Sequence, residues 1–364
     1  MAEGIDPGLF DENQRTAPVA DERRFVDVGA MDLEAGGRLE GVTVAYETWG
    51  TLSPERDNAI LICHAISGDA HAIGWWDRII GPGKAIDTDR FFVIGQNALG
   101  GCQGTTGPSS MAPDGRPYGS RFPILTMRDI VEAQRRLVDY LQIERLHAVA
   151  GGSMGGVNAI AWTVQQPSRV RKAWITASGP QRNAMQIGFS ETARQAIMRD
   201  PKWRGGDYPP DDPPFHGLTV ARMIGHLSYL SEHAFDAKFG RRLQDKARFD
   251  YTFDVEFQVE SYLRHQGEKF TRRFDANSFL TLSRAIDYFT CESLEASQAE
   301  YLVTAFTSDW LYPPHVCRRV HELALQAGRP SRFVEVDLPY GHDAFLLDGE
   351  LQGAAVRAFL HDEA

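Results

Sequence analysis

Residues 146–156 read LHAVAGGSMGG, and this stretch decides the fold of the chain. An apolar, strand-like segment, Leu146–Ala150, runs into a glycine-rich turn around Ser153, and a helical pattern over Met154–Gln166 follows. A sharp strand-to-helix turn strains the backbone of its serine and leaves room only for small neighbours. The turn also lifts the hydroxyl clear of the sheet edge, where the helix N-terminus favours developing negative charge. We predict that Ser153 is a nucleophile; the flanking elements argue against a bystander serine in a glycine-rich turn.

Short apolar segments rich in β-branched and aromatic residues recur along the chain, which is typical of strands buried on both faces of a parallel sheet. The predicted strands are Val42–Trp49, Ala59–Cys63, Phe91–Gly95, Leu146–Ala150, Lys172–Ala177, Tyr301–Phe306 and Phe333–Leu338. Helices are predicted at Met127–Gln142, Met154–Gln166 and about Leu351–Leu360. Thr126 followed by Asp129 indicates an N-terminal cap for the first helix. Alternating strands and helices predict an α/β protein with a doubly wound, mostly parallel sheet.

One interval breaks this alternation. From about Gln181 to Gln298 the pattern is mostly helical and amphipathic, interrupted by the Pro- and Asp-rich stretch Tyr208–Pro214. Ligands of open α/β sheets bind outside the carboxyl ends of the strands, so an insertion there would close over the site. We predict that residues 1–180 and 299–364 form the core, and that residues 181–298 form a helical cap, or lid, inserted into it.

Composition and charge narrow the class of protein. The chain has 364 residues, which suits one large α/β core with an insertion. Its formal net charge of −11 argues against nucleic acid or an anionic membrane surface as a partner. Met1–Thr16 has no signal-peptide pattern, and no apolar run reaches the length of a membrane span. The cysteines, Cys63, Cys102, Cys291 and Cys317, form no CxxC pair, so we expect reduced thiols and a cytoplasmic protein.

The candidate partners of the serine follow two later strands. A serine hydroxyl needs a base, and the base needs an orienting carboxylate, which in this kind of fold come in the order Ser, Asp or Glu, His. Asp309 follows strand Tyr301–Phe306, and His342 follows strand Phe333–Leu338. We therefore predict that His342 is the general base and that Asp309 orients it. The acids that could compete with Asp309 are Asp254, Asp275 and Asp343.

The loop after strand Ala59–Cys63 is the candidate oxyanion loop. It reads HAISG over residues 64–68. It corresponds to the loop whose backbone amide faces the nucleophile in folds with this strand-turn-helix element. We expect the amides of Ile66 and Met154 to bind the oxyanion of a tetrahedral intermediate.

Two further motifs invite other interpretations. His64, Asp69 and His71 are metal-ligand types, but the geometry of the loop explains them better, and we predict no metal site. The run Gly100–Gly107 is glycine-rich, but it lacks the Gly-Lys-Ser/Thr ending of a phosphate-binding P-loop and does not open into a helix. We expect a structural or site-lining loop there, with Ser153 rather than Cys102 as the nucleophile.

Several motifs together resemble the homoserine O-acetyltransferase family of the α/β-hydrolase superfamily. The resemblance runs over nearly the whole chain. The segments that carry it are VAYETWG at 44–50, NALGGC at 97–102, TGPSS at 106–110, GGSMGG at 151–156, FDANS at 274–278 and GHDAFL at 341–346. Val157 and Asn158 depart from the Met-Gln pair of many members. The resemblance implies an α/β-hydrolase fold with a cap.

The resemblance also implies roles for individual residues. It makes Ser153 the acylated nucleophile, with Asp309 and His342 completing the triad. It implies that Arg222 binds the substrate carboxylate with its planar guanidinium, and that Asp343 pairs with the substrate ammonium.

Position 311 bears on the acyl donor. Members that use succinyl-CoA tend to carry an arginine two residues after the triad aspartate, where this chain has Leu311. An apolar residue there would leave a succinyl carboxylate unpaired, which favours acetyl-CoA.

The function that the resemblance implies is acetyl transfer from acetyl-CoA to L-homoserine through an acetyl-serine intermediate, in methionine biosynthesis. Acetyl-CoA would be a co-substrate, with no permanently bound cofactor, and we expect a homodimer through cap helices. Three alternatives remain open. They are the same chemistry with L-serine, a deacetylcephalosporin or succinyl-CoA; an esterase, which would release CoA without an acceptor; and a non-catalytic binding protein.

Overall fold

The computed structural model describes residues 23–362 and has a central sheet of eight strands. The polar stretch Met1–Thr16 lies outside the described residues. The strands are β1 (Arg24–Asp27), β2 (Thr43–Trp49), β3 (Ala59–Cys63), β4 (Phe92–Gln96), β5 (Leu146–Gly152), β6 (Val170–Thr176), β7 (Glu300–Phe306) and β8 (Ser331–Val336). Two short pairs lie outside this sheet: Met31–Asp32 with Arg38–Leu39, and Ile80–Gly81 with Ile86–Asp87.

The sheet is mostly parallel and has the order β1-β2-β4-β3-β5-β6-β7-β8. Strands β3 to β8 pair in parallel, β2 runs antiparallel to β4, and β1 runs antiparallel to β2. Parallel strands end at one edge of a sheet, so the segments that follow β3, β5, β7 and β8 meet there. This architecture confirms the predicted fold class.

Every predicted strand is present; Ala59–Cys63 keeps its predicted bounds, and the other six are shifted. The largest shift is at β8, which the pattern places at Phe333–Leu338 and which ends at Val336. The pattern does not reveal β1, because Val26 is the only buried residue of its four. An edge strand with so little burial carries no apolar signal.

The helices of seven or more residues are α1 (Met127–Tyr140), α2 (Met154–Gln165), α3 (Ala184–Met198), α4 (Phe215–Tyr229), α5 (Glu232–Lys238), α6 (Gln258–Thr271), α7 (Ala276–Tyr288), α8 (Pro314–Gln326) and α9 (Leu351–Leu360). Single-turn helices occupy Ala72–Trp75 and Ala344–Leu347. Helix α1 starts with a capping box, since the amide of Thr126 donates to Asp129 Oδ2 at 2.8 Å, as predicted. Helix α8 was not predicted.

Apolar side chains fill both faces of the sheet. Successive residues of a strand point to opposite faces, so Ile60 and Ile62 of β3 join one apolar cluster, and Leu61 and Cys63 join the other. All five residues of β3 and all seven of β5 are buried. This two-sided burial is why the strands read as continuous apolar runs.

The interval predicted as a cap contains helices α3 to α7, together with the loops that join them. Helix α4 packs against α3 on one side and α6 on the other. This helical content agrees with the pattern of residues 181–298, while the boundary between core and cap stays a prediction.

Between residues 23 and 362, no helix is both long enough and apolar enough to cross a membrane.

Candidate active site

Ser153 lies at the turn between β5 and α2 in a strained conformation. Its φ of 56° and ψ of −123° fall outside the regions that non-glycine residues ordinarily adopt. The neighbouring glycines are required by contact. A Cβ at Gly155 would lie 1.9 Å from the carbonyl oxygen of Cys63, and one at Gly152 would lie 2.5 Å from the ring of Phe345. The turn therefore tolerates no side chain at these two positions.

Hydrogen bonds to strand β6 and the residues after it hold the turn. The amide of Ser153 donates to the carbonyl of Thr176 at 3.2 Å, and the hydroxyl of Ser178 donates to the carbonyl of Ser153 at 2.8 Å. Gly156 packs against Ser178, since a Cβ at Gly156 would lie 2.4 Å from the Ser178 Cβ. The backbone of the nucleophile candidate is thus fixed.

His342 and Asp309 form a buried pair. Nδ1 of His342 donates to Asp309 Oδ2 at 2.8 Å, and each residue is 2% exposed. The other carboxylate oxygen, Oδ1, accepts the amides of Leu311 and Tyr312 at 2.9 and 2.8 Å. These bonds fix the orientation of the Asp309 carboxylate. Its Oδ2 therefore fixes the ring orientation and the tautomer of His342. Nε2 of His342 is buried and has no hydrogen-bond partner in the structure.

Two of the three competing acids have other partners. Asp275 caps helix α7 by accepting the amide of Ser278 at 2.7 Å, and it accepts the hydroxyl of Tyr208 at 2.6 Å. Asp254 pairs with Arg264 on the surface. The third, Asp343, directly follows His342 in the chain, and the acid that bonds Nδ1 of His342 is Asp309.

One cavity of about 90 Å³ brings five of the predicted site residues together. Ser153, His342, Asp343, Arg222 and Ile66 line it. Its remaining lining residues are Ala65, Ser67, Gly68, Asp69, Trp75, Tyr229, Arg273, Phe345 and Leu346.

The walls of the cavity come from the core and from the interval predicted as a cap. Arg222, 5% exposed on α4, places its guanidinium 5.6 Å from the ring centre of Tyr229 and 4.8 Å from that of Phe270. Aromatic faces stabilise a cation, so they orient this charge at the cavity wall. Asp343 directly follows His342 and lines the same cavity. A cationic and an anionic side chain thus lie in one cavity with the candidate nucleophile.

The predicted oxyanion donors are Met154 and Ile66. Met154 directly follows Ser153 and opens helix α2, so its amide belongs to the first-turn N–H groups that have no partner within a helix. Ile66 lies in the loop after β3 and lines the same cavity as the serine. Their role as oxyanion donors stays a prediction.

Leu311 lies elsewhere. It is 8% exposed and lines a second, smaller cavity, which shares Ile66 and Tyr229 with the first. Arg182 also lines this second cavity and pairs with Asp287 at 2.8 Å.

The surroundings of His64 and Cys102 argue against the other chemistry that their motifs suggested. His64 is fully buried and neutral: Nδ1 donates to the carbonyl of Ala65 at 2.7 Å, and Nε2 accepts the amide of Ala98 at 2.9 Å. Burial lowers the pKa of His64. Across residues 23–362, no group of His, Cys, Asp and Glu is arranged to hold a metal ion. Burial raises the pKa of the Cys102 thiol to about 12, so this cysteine is a poor nucleophile.

Sequence reasoning missed four cavity residues: Asp69, Trp75, Tyr229 and Arg273. Tyr229 is seven residues after Arg222 on the same helix face, a spacing that could have revealed it. Arg273 directly precedes the FDANS motif. Trp75 carries no comparable signal.

Known proteins resemble this chain over most of its length. The model of the α/β hydrolase fold family matches residues 58–349. A homoserine O-acetyltransferase of Methanohalobium evestigatum is 49% identical, over 90% of this chain and 71% of that protein. A homoserine O-succinyltransferase of Bordetella petrii is 46% identical, over 90% of this chain and 83% of that protein.

Two solved structures are also similar. The homoserine O-acetyltransferase of Bacillus anthracis has a TM-score of 0.87 at 30% identity, covering 93% of this chain and 97% of that one. The esterase E22 has a TM-score of 0.86 at 30% identity, covering 93% and 99%.

Proposed function

Because the chain belongs to the homoserine O-acyltransferases of the α/β-hydrolase fold, we propose that it moves an acetyl group from acetyl-CoA to the hydroxyl of L-homoserine. The observation that carries the mechanism is the orphaned, buried Nε2 of His342, in one cavity with Ser153. A base held by Asp309 and free at its second nitrogen can take a proton from the serine.

The first half-reaction acylates the enzyme. Nε2 of His342 takes the Ser153 proton as Oγ attacks the thioester carbonyl, and the amides of Ile66 and Met154 stabilise the oxyanion. The C–S bond then breaks. The proton on His342 passes to the departing sulfur, CoA leaves as a thiol, and the acetyl group remains on Ser153.

The second half-reaction transfers the acetyl group. Arg222 binds the carboxylate of homoserine, and Asp343 binds its ammonium. Nε2 of His342 takes the proton of the homoserine hydroxyl, whose oxygen attacks the acetyl ester. The bond from the carbonyl carbon to Ser153 Oγ breaks, and the proton returns to Oγ. This two-step, ping-pong scheme requires the amino acid to react before water, and a narrow cavity with walls from the cap limits water.

Position 311 supports acetyl over succinyl. Leu311, two residues after Asp309, presents no charge to a distal carboxylate. A succinyl carboxylate beside it would lose water without gaining a cationic partner from this residue. We place the reaction in methionine biosynthesis in the cytoplasm, with acetyl-CoA as co-substrate and no resident cofactor.

We also propose a homodimer through the cap. On helix α4, Val220 and Leu227 are 44% and 47% exposed and lie seven residues apart, on one face. Exposed apolar stripes of this kind favour association.

The test is thiol release from acetyl-CoA, with and without L-homoserine. L-Serine and succinyl-CoA serve as alternative substrates, Ser153→Ala as the blank, and Ser53→Ala, at a half-buried position that does not line the cavity, as the matched control. Release that needs homoserine and is lost only in Ser153→Ala supports the proposal. Release without any acceptor would indicate an esterase, as the name of the similar esterase E22 suggests. Turnover with serine but not with homoserine would mean that serine is the acceptor.

A further inference from the structure

A cluster of largely buried charged and polar side chains lies behind the candidate oxyanion loop, residues 64–68, and Asp69, which follows it. We infer that Glu47, His71 and Arg23 position this loop and, through it, the Ile66 amide. The inference rests on the proposed oxyanion role of that amide. None of the three residues lines the cavity, so they are positioning residues that act through the loop.

The near end of the loop is fixed by neighbours of β3. His64 bonds to the carbonyl of Ala65 and the amide of Ala98, and the amide of Gly68 donates to the Ala65 carbonyl at 2.8 Å. In the middle, Arg273 Nη1 donates to the carbonyl of Ser67 at 2.8 Å. These contacts hold the first part of the loop, and the part that ends at Asp69 is held by other residues.

The far end is held by His71 and Glu47. The amide of His71 donates to Asp69 Oδ1 at 2.8 Å, and its Nδ1 lies 2.6 Å from Glu47 Oε2. Glu47 lies on β2, a rigid strand within the sheet, and its side chain is 2% exposed. Asp69 is thereby tied through His71 to the sheet.

Arg23 completes the cluster. Its Nε donates to Glu47 Oε1 at 3.2 Å, and its Nη2 lies 3.8 Å from Asp69 Oδ1. Its Nη1 donates to the carbonyl of Gln103 at 3.0 Å. A buried carboxylate is costly without partners, and here Glu47 has two, the Arg23 guanidinium and the His71 ring. The arrangement therefore fixes one geometry of the loop.

The ring of His71 is also confined by packing. It meets the ring of Trp49 edge-on with centres 6.1 Å apart, and a Cβ at Gly74 would lie 2.4 Å from its Cδ2. The charged groups that face it are Glu47, Asp69 and Arg23, and the hydrogen bond to Glu47 raises the pKa of His71. A methyl group at Gly74 would push the ring from its place.

A displaced loop would weaken transition-state stabilisation more than substrate binding. Preorganised donors act where charge develops, and a shift of about 1 Å can cost about 100-fold in rate. Homoserine, bound through Arg222 and Asp343, does not need the oxyanion amide. Loosening the loop should therefore lower kcat and leave KM for homoserine nearly unchanged.

The test compares His71→Ala with His71→Asn, whose amide nitrogen replaces the Nδ1 donor. The assay is hydrolysis of p-nitrophenyl acetate, together with the affinity for a boronic acid that forms a tetrahedral adduct on Ser153. We expect His71→Ala and Gly74→Ala to lower kcat and boronate affinity by about 10- to 100-fold. His71→Asn should restore most of both, and homoserine affinity should change little throughout.

Thermal midpoints separate this role from a purely structural one. A lower midpoint with unchanged kcat and boronate affinity would overturn the inference, as would His71→Asn behaving like His71→Ala. If His71→Ala does not fold, Gly74→Ala carries the same comparison. The ester assay needs no amino-acid acceptor, so failure of homoserine-dependent thiol release would overturn the proposed function and leave this inference standing.

Discussion

The turn around Ser153 and the cap side of the same cavity differ in whether a short stretch of sequence is enough to predict them. At the turn, the motif is short: Gly152 and Gly155 flank Ser153, and helix α2 starts at the residue after the serine. The atoms that exclude a side chain at the two glycines belong to Phe345 and Cys63, which are distant in sequence, but the glycines themselves mark the turn. On the cap side, Arg222 reaches the cavity only because α4 packs against two other helices. Local chemistry is readable from a short stretch of sequence, whereas recognition assembled by packing is not.

The largest expected effect tests the core side. Asp309→Asn should lower kcat by about 10,000-fold, because the amide favours the wrong tautomer of His342. The matched control is Asp275→Asn, which retains a helix-capping side chain and should keep the rate. Steady-state kinetics with a circular-dichroism check measures both. Equal losses in the two variants would mean that Asp309 was assigned wrongly.

The cap side is tested by Arg222→Lys. A lysine keeps the charge but loses the fork that matches a carboxylate, so KM for homoserine should rise by about 10- to 100-fold. Hydrolysis of p-nitrophenyl acetate should fall much less, which separates recognition from chemistry. A parallel loss of both activities would show that the cap and the core do not divide these tasks.

Thr126→Ala removes a local sequence motif outside the cavity, so it tests whether such a motif affects stability without affecting catalysis. Loss of the capping box of α1 should lower the free energy of unfolding by about 1 kcal/mol and leave kcat unchanged. Urea denaturation measures this. An unchanged stability would mean that the box, although formed, does not stabilise the helix.

The smallest effect is a pH dependence of stability at the Glu47–His71 pair. Glu47 raises the pKa of His71 above 6.5. The contribution of the charged His71 ring to the free energy of unfolding is therefore present at low pH and is lost as the pH rises through the raised pKa. The pKa of Glu47 is lowered from 4.5, despite burial, by His71 and Arg23, so its contribution is lost as pH falls through the lowered value. The difference in stability between wild type and His71→Asn should therefore peak between about pH 4.5 and 6.5. A flat difference would contradict the pairing.

The sequence predicted seven of the eight strands because they carry apolar runs, and it predicted Ser153, Asp309 and His342 because each follows the carboxyl end of a strand. It placed Arg222 and Asp343 only through family resemblance. It missed Asp69 and Trp75 as cavity residues, since their position depends on how the loop after β3 folds back. Leu311, expected to meet the acyl group, lines a second small cavity that shares Ile66 and Tyr229 with the first, so its role as a specificity residue stays a prediction.

The most direct test of acetyl transfer through Ser153 is the intact mass of the enzyme after mixing with acetyl-CoA in the absence of acceptor. The account predicts a gain of one acetyl group, mapped by peptide analysis to Ser153 and discharged far faster by L-homoserine than by water, with O-acetylhomoserine as product. An enzyme that turns over acetyl-CoA with homoserine but never carries the acetyl group, even on rapid quenching, would contradict it.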